Sequence, residues 1–139
     1  MNKWKDIPWY EWLYQANDLW EIKSLSRKMY NWNWYYQSKD RILKLSKDKL
    51  WYERWQFSLN WKTKSFLCHY IIMLTFVWER PINKNWFPYD INHKNWITND
   101  NRLENLEYCT RQYNTQHAFD VLWIQWSTKG KFWKDNPRS

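Results

Sequence analysis

The chain is almost without glycine. Gly130 is the single glycine in 139 residues, whereas average usage of about 7% would place roughly ten. Turns that require a positive φ angle must therefore be made by other residues. Cysteine is also scarce, because Cys68 and Cys109 are the only two. Two are too few for a disulfide scaffold, so we expect reduced thiols with structural roles.

Long apolar segments are absent as well. No run approaches the roughly 18 apolar residues of a membrane span, and residues 1–6 lack the apolar core of a signal peptide. We therefore expect an intracellular protein with no membrane partner. The 44% hydrophobic and 22% aromatic content argues against intrinsic disorder.

Tryptophan is as abundant as glycine is rare, with 15 residues. Several directly follow asparagine, and Asn-Gly is the dipeptide expected at tight turns with positive φ. These are Trp32, Trp34, Trp61, Trp86 and Trp96. Replacing every tryptophan except Trp4 by glycine restores ordinary turn chemistry. We hypothesise a natural sequence altered by a blanket Gly→Trp exchange, with a genuinely tryptophan-rich protein as the alternative.

Positive charge is in excess. Lys and Arg number 22 against 14 Asp and Glu, which gives a formal net charge of +8. Neutralisation of phosphates by Lys and Arg supplies most sequence-independent affinity for nucleic acid, so we expect such a partner. The basic clusters at 23–28, 39–49, 62–64 and 129–138 are spread along the chain. Each alone is equally typical of a solvated surface.

Hydrophobic periodicity predicts strands in the first half of the chain. Alternation with period two indicates a strand at 19–25 within a β-rich region. A second alternating stretch at 55–59 and a return strand at 62–66 predict a hairpin, with its turn at residues 60–61.

Helices are predicted in the second half. The most apolar segment, 66–77, is the expected core helix and is closed at Pro81. Residues 83–105 indicate a strand, a loop and a second strand. Thr110 is the expected N-cap of a helix from Arg111 to about residue 119.

Polar residues that can perform chemistry are concentrated between residues 89 and 117. If His93 ends a strand and Asn114 lies on the next helix, both can face a common cleft. His117 follows Asn114 by three positions and shares its helical face. This geometry suits one metal ion held by oxygen ligands beside a neutral histidine that deprotonates water. The pattern therefore predicts phosphodiester hydrolysis.

The same residues resemble the HNH homing endonucleases of phage and bacterial type. The matching elements are Asn92-His93, residues 101–110, Asn114 and His117-Ala118, and the preceding 69–76 segment is similar to the family's leading helix. Residues 4–15 resemble the small module that often precedes the nuclease domain. The resemblance implies an α+β fold, with a small β-rich module at 1–50, a ββα-metal nuclease domain at 51–122 and a basic linker at 123–139.

The resemblance also implies roles for individual residues. His93 corresponds to the general base, Asn105 to the asparagine that organises the loop, and Asn114 and Asn92 to the metal ligands. The expected ion is Mg²⁺, the expected partner is double-stranded DNA, and a monomer in the cytoplasm of a bacterial or phage-infected cell is favoured. The expected DNA contacts are Lys62, Lys64, Lys94, Arg102 and His117.

Several alternatives stay open at this point. A non-catalytic nucleic-acid-binding module would use the same basic and aromatic residues. Fourteen Gly→Trp changes would instead leave a destabilised, inactive nuclease, since a bulky residue is costly at positive φ. His69 borders an apolar helix and is more typical of a structural histidine. A zinc site from Cys68, His69, Cys109 and His117 is disfavoured, because no Cys-x-x-Cys pair is present.

Overall fold

The computed structural model describes residues 3–48, 52–59 and 62–128, with the backbone alone over 122–128. Its N-terminal part consists of short antiparallel strands, namely β1 (Lys5–Asp6), β2 (Tyr14–Ala16), β3 (Ile22–Ser24), β4 (Lys28–Asn31), β5 (Trp34–Gln37) and β6 (Arg41–Ile42). Strands β1, β2, β3 and β6 form one sheet in that order, and β4 pairs with β5. The strand expected at 19–25 is shorter, because Trp20 has a φ of 56° and belongs to the preceding bend.

A three-stranded sheet follows, built from β7 (Ser46–Lys47), β8 (Glu53–Leu59) and β9 (Lys62–Leu67). Leu59 pairs with Lys62, so the predicted hairpin is confirmed. Its turn at 60–61 lies outside the described residues. Side chains of β8 alternate between the core and solvent: Trp55 and Phe57 are buried, whereas Gln56 is exposed. This is the alternation that predicted the strand.

The first helix, α1 (Cys68–Phe76), confirms the predicted core helix. It begins later than expected because Phe66 and Leu67 pair with β8 and extend the hairpin. The buried residues of this helix join those of both preceding sheets in a single hydrophobic core, which includes Ile7, Ile22, Trp55, Phe57, Ile71 and Ile72. The two expected modules therefore share one core.

The last elements form a ββα unit, built from β10 (Asp90–His93), β11 (Leu106–Cys109) and α2 (Arg111–Thr128). The two strands are antiparallel, with His93 opposite Leu106. A 3₁₀ turn at Leu103–Asn105 precedes β11, so the second strand begins just after the predicted 83–105 segment. Thr110 caps α2 as predicted, because its Oγ1 accepts the Tyr113 N–H at 3.2 Å.

Helix α2 is longer than the sequence indicated. It continues past residue 119 to Thr128 and so includes the beginning of the expected linker. No proline or glycine lies between Arg111 and Thr128, since the positions taken as former glycines are tryptophan. The rest of the expected linker, 129–139, lies outside the described residues. Within the part of the chain that is described, no helix is long and apolar enough to cross a membrane.

Tryptophan occupies the left-handed turns of the backbone. The non-glycine residues with positive φ in the described chain are all tryptophan, with φ from 45° to 67°: Trp9, Trp12, Trp20, Trp32, Trp78, Trp86 and Trp96. Such angles favour glycine, which supports the exchange hypothesis at these positions. Trp55 differs, because it lies in a strand, is 2% exposed and donates its indole N–H to Cys68 Sγ at 3.1 Å. The hypothesis has no structural support there.

Candidate active site

A cavity of about 270 Å³ lies between the end of β10 and the first turns of α2. His93 and Asn92 enter it from β10, and Asn114 enters it from α2. The structure therefore brings together three of the residues that the sequence predicted would meet. The other polar residues of its wall are Tyr52, Trp96, Thr98 and Thr115.

His93 is held in a buried, hydrogen-bonded position. Its side chain is 7% exposed, and its Nε2 lies 3.1 Å from Asn101 Oδ1. Burial lowers the pKa of His93, although the hydrogen bond with Asn101 and the negative charge of Asp100 oppose this effect. The imidazole is therefore neutral at pH 7, which is the state that can accept a proton.

A second histidine packs against the first. His69, at the start of α1, places its ring edge-on to His93 with the ring centroids 5.2 Å apart, and it meets the Tyr52 ring in the same way. Burial lowers the pKa of His69 to about 4, with smaller contributions from His93 and Arg80. His69 is a packed neutral residue, as its position beside an apolar helix indicated.

Asn92 is anchored on both sides. Its Nδ2 donates to Glu107 Oε1 on β11 at 2.9 Å and lies 3.1 Å from His117 Nδ1. The Trp96 indole also donates to His117 Nδ1, at 2.9 Å. His117 therefore accepts at Nδ1 and lies beside Asn92, on the helical face that the spacing from Asn114 predicted.

Comparison with known proteins identifies the ββα unit. Residues 69–116 match the family model described as HNH endonuclease. Residues 69–116 are therefore similar to an HNH endonuclease domain, and we refer to them as the HNH domain. A solved structure entitled "DNA binding and cleavage by the HNH homing endonuclease I-HmuI" is similar in fold, with a TM-score of 0.65 and 23% identity over 86% of this chain. This chain spans 59% of the length of that structure's chain. No curated protein sequence matches significantly.

Asn105 organises the central loop of the HNH domain and does not line the cavity. Its Nδ2 donates to Asn95 Oδ1 at 2.9 Å and to the Asp100 carbonyl at 2.7 Å, and its Oδ1 accepts the Asn95 N–H at 3.1 Å. These bonds tie the start of the loop after β10 to its end before β11. These bonds are consistent with the loop-organising role that the resemblance implied, and that role and a direct part in chemistry both stay predictions.

The residues expected to contact DNA are dispersed around the HNH domain. Arg102 bonds Asp100 and Glu104, both at 2.8 Å, so its charge is largely balanced. Its hydrogen bonds to Asp100 lower the pKa of that carboxyl group to about 2. Lys94 donates to the Glu104 carbonyl at 2.8 Å. Lys62 and Lys64 are exposed on β9 and lie outside the cavity wall.

Some cationic residues near the site were not singled out from the sequence. A second hollow of about 410 Å³ is lined by Arg54 and Arg80 and shares Asn114 with the first cavity. Arg80 donates to the Tyr89 carbonyl at 2.7 Å, which fixes it beside β10. Arg54 lies on β8 and Arg80 in the segment between α1 and β10, so the two arginines form no local sequence motif.

Glu53 is the other residue that sequence reasoning missed. It is 8% exposed at the first position of β8, and its Oε2 accepts Asn101 Nδ2 at 3.0 Å. A signal was present, since Glu53 shares the period-two face of Trp55 and Phe57 and so had to point toward the core. A carboxylate on a buried strand face needs a partner.

The side chains around the cavity that could bind a metal ion are largely neutral. Among the described residues, no group of three or more His, Cys, Asp or Glu is arranged to hold a metal ion. Amide oxygens of Asn92 and Asn114 are nevertheless suitable for a hard divalent cation, whose remaining positions are completed by water and phosphate. The two cysteines are buried and unpaired, and burial raises the pKa of Cys68 to about 12 and of Cys109 to about 11. Both thiols therefore stay protonated.

Proposed function

We propose that the protein is a metal-dependent DNA endonuclease of the homing type, which hydrolyses phosphodiester bonds of duplex DNA with His93 as general base. The observation that carries the proposal is the neutral, buried His93, which shares one cavity with Asn92 and Asn114 on an HNH ββα unit. A neutral imidazole that lines a cavity open to water is able to remove a proton from an attacking water.

The other residues of the cavity act on the phosphate and on a cation. Asn92 and Asn114 would hold a divalent ion, with Mg²⁺ as the first choice because both ligands are oxygen-bearing. Such an ion polarises the phosphodiester and stabilises the leaving oxygen. His117 holds Asn92 in place through its Nδ1, and Asn105 keeps the loop in the shape that presents His93.

Duplex DNA is the proposed substrate because cationic groups surround the site. Arg54 and Arg80 line the hollow that adjoins Asn114, and Lys94 lies at the end of β10. The net charge of +8 favours contact with phosphates over a wide surface. We further propose that the chain acts as a monomer in the cytoplasm of a bacterial or phage-infected cell.

A second candidate function follows from Trp96. Its indole lines the cavity and donates to His117, which occupies space beside the proposed metal ligand Asn92. A chain with this side chain in place would bind DNA without cutting it, as a non-catalytic nucleic-acid-binding module does. The unaltered chain distinguishes the two candidates: a nuclease nicks DNA with Trp96 in place, whereas the binding module cleaves only after Trp96→Gly clears the cavity or does not cleave at all.

Nicking of supercoiled plasmid tests the proposal. We expect nicking with Mg²⁺ and none with excess chelator. His93→Ala should reduce the rate by at least about a hundredfold and leave DNA affinity unchanged, because general-base catalysis contributes on the order of 10² to 10⁴. Added imidazole should restore part of the activity of His93→Ala. Undiminished cleavage by that variant, or full activity in chelator, refutes the assignment.

A further inference from the structure

A buried row of three polar side chains runs from β8 to the cavity. Glu53 Oε2 accepts a hydrogen bond from Asn101 Nδ2 at 3.0 Å, and Asn101 Oδ1 lies 3.1 Å from His93 Nε2. Asn101 is 1% exposed and the other two are below 9%. Polar groups buried this deeply adopt one orientation, since an unpaired donor or acceptor is costly there.

The chemistry of the row determines where the proton of His93 lies. An ionised carboxylate has only acceptors, so the amide of Asn101 must turn its NH₂ group toward Glu53. Its oxygen then faces His93, and an oxygen acceptor requires a proton on Nε2. In the neutral ring this leaves Nδ1 without a proton and with a free lone pair.

We propose that Glu53 and Asn101 are positioning residues that fix the tautomer of His93, with the proton on Nε2 and Nδ1 as the atom that accepts a proton from water. Only the role given to Nδ1 rests on the proposed nuclease function. Glu53 lies on β8, outside the matched residues 69–116, so this support comes to the HNH domain from the neighbouring sheet of β7, β8 and β9.

The surroundings of the row favour this assignment. Burial raises the pKa of Glu53, but the hydrogen bond from Asn101 and the charge of Lys47, which lies opposite Glu53 in the register of β7 and β8, partly offset this rise and favour the ionised carboxylate. Within the described residues Nδ1 of His93 has no hydrogen-bond partner, and the ring lines the cavity. His69 packs edge-on against the His93 ring, which restricts rotation of that ring.

The tautomer is measured directly by ¹⁵N NMR of histidine-labelled protein at pH 8, with His93→Gln used to assign the ring signals. We expect His93 Nε2 to show the protonated, pyrrole-type shift and Nδ1 the unprotonated, pyridine-type shift. The reverse pattern in the unaltered protein overturns the proposal. This measurement needs neither DNA nor metal.

Glu53→Gln tests the cause while keeping the shape of the side chain. Glutamine can donate as well as accept, so Asn101 is free to turn its NH₂ group toward His93, which then requires an unprotonated Nε2. We expect a mixture of tautomers and a fall in kcat of about tenfold or more with KM unchanged, because only part of the population has its base in the productive form.

Glu21→Gln is the matched control. Glu21 Oε2 accepts Asn17 Nδ2 at 2.6 Å, so the same exchange is made at a second asparagine–glutamate pair away from the cavity. We expect this variant to keep both the tautomer and kcat. If Glu53→Gln lowers the melting temperature but leaves the His93 signals and kcat as in the control, Glu53 is a structural residue and the proposal is wrong. If the tautomer responds as expected while no variant cleaves DNA, the row is correct and the nuclease function fails.

Discussion

At the scale of single residues, amides rather than carboxylates make the polar contacts of the site. Asn92, Asn101 and Asn105 each donate hydrogen bonds in buried positions, and Asn101 and Asn105 also accept them. Neutral amides are less costly to bury than unpaired charges and still fix geometry from both ends. The consequence is a poorly solvated, weakly charged environment in which both His69 and His93 are neutral.

The burial of His69 predicts a specific loss of stability in acid. Its pKa is about 4 in the fold and 6.5 ordinarily, so between these values the unfolded chain binds a proton that the folded chain does not. The free energy of unfolding should therefore fall as pH drops from 6.5 toward 4, by at most on the order of 3 kcal/mol. Urea unfolding at several pH values measures this. His69→Gln should flatten the dependence, and parallel curves for the two proteins would contradict the account.

At the scale of elements, a strand or helix could be predicted from the sequence where its apolar residues form a clear pattern. The β8–β9 hairpin and α1 were predictable because an apolar face alternates with a polar one or because the segment is almost wholly apolar. Strands β4 to β7 were not, since both of their faces are largely exposed and their residues show no alternation. In the site, the spacing of His93 and Asn114 predicted their meeting, whereas the Glu53 contact to Asn101 joins residues 48 positions apart and depends on tertiary packing.

The β4–β5 hairpin provides a matched test of the tryptophans. Trp32 lies in its turn with a φ of 45°, and Trp34 lies in strand β5. Trp32→Gly should stabilise the protein by about 1 kcal/mol or more, because glycine adopts this angle without steric cost. Trp34→Gly should destabilise by roughly 0.5 to 1 kcal/mol, since Trp34 begins a strand without a positive φ and glycine loses more backbone freedom there on folding. Chemical denaturation of both variants decides the matter. Stabilisation by both, or by neither, would mean that backbone angle is not the cause.

At the scale of the whole molecule, the hydrophobic core and the surface charge determine different properties. The core joins residues from the N-terminal sheet, the β8–β9 hairpin and α1. The two sheets and the HNH domain should therefore unfold together. The surplus of Lys and Arg is dispersed along the chain, and we expect it to influence affinity for the proposed DNA partner rather than stability.

Dispersed cations predict binding that depends steeply on salt. Affinity for duplex DNA should fall at least about tenfold between roughly 50 mM and roughly 200 mM salt, with modest sequence preference, because phosphate contacts release counterions. Fluorescence anisotropy with two unrelated duplexes measures both properties. Affinity that does not change over this range would contradict the proposed binding mode.

The seven tryptophans with positive φ also allow a direct test of the Gly→Trp exchange hypothesis. The exchange hypothesis predicts that the seven positions with positive φ carry glycine in the natural protein. Mass spectrometry of the protein from its source would then find glycine in the peptides that contain Trp9, Trp32 and Trp96. Finding tryptophan in those peptides would refute the hypothesis.

The total free-energy cost of the tryptophans with positive φ decides whether this chain is stable. Each left-handed tryptophan costs on the order of 1 to 3 kcal/mol, and a whole domain is stable by only about 5 to 15 kcal/mol. Reverting the seven positive-φ tryptophans to glycine should therefore raise the melting temperature markedly, and the Trp96 change should also increase nicking by clearing the cavity. Trp55→Gly is the opposite control, since removing a buried indole should cost on the order of 3 to 5 kcal/mol. If the unaltered chain melts cooperatively above the reverted one, the seven tryptophans are native packing residues and the exchange hypothesis is wrong.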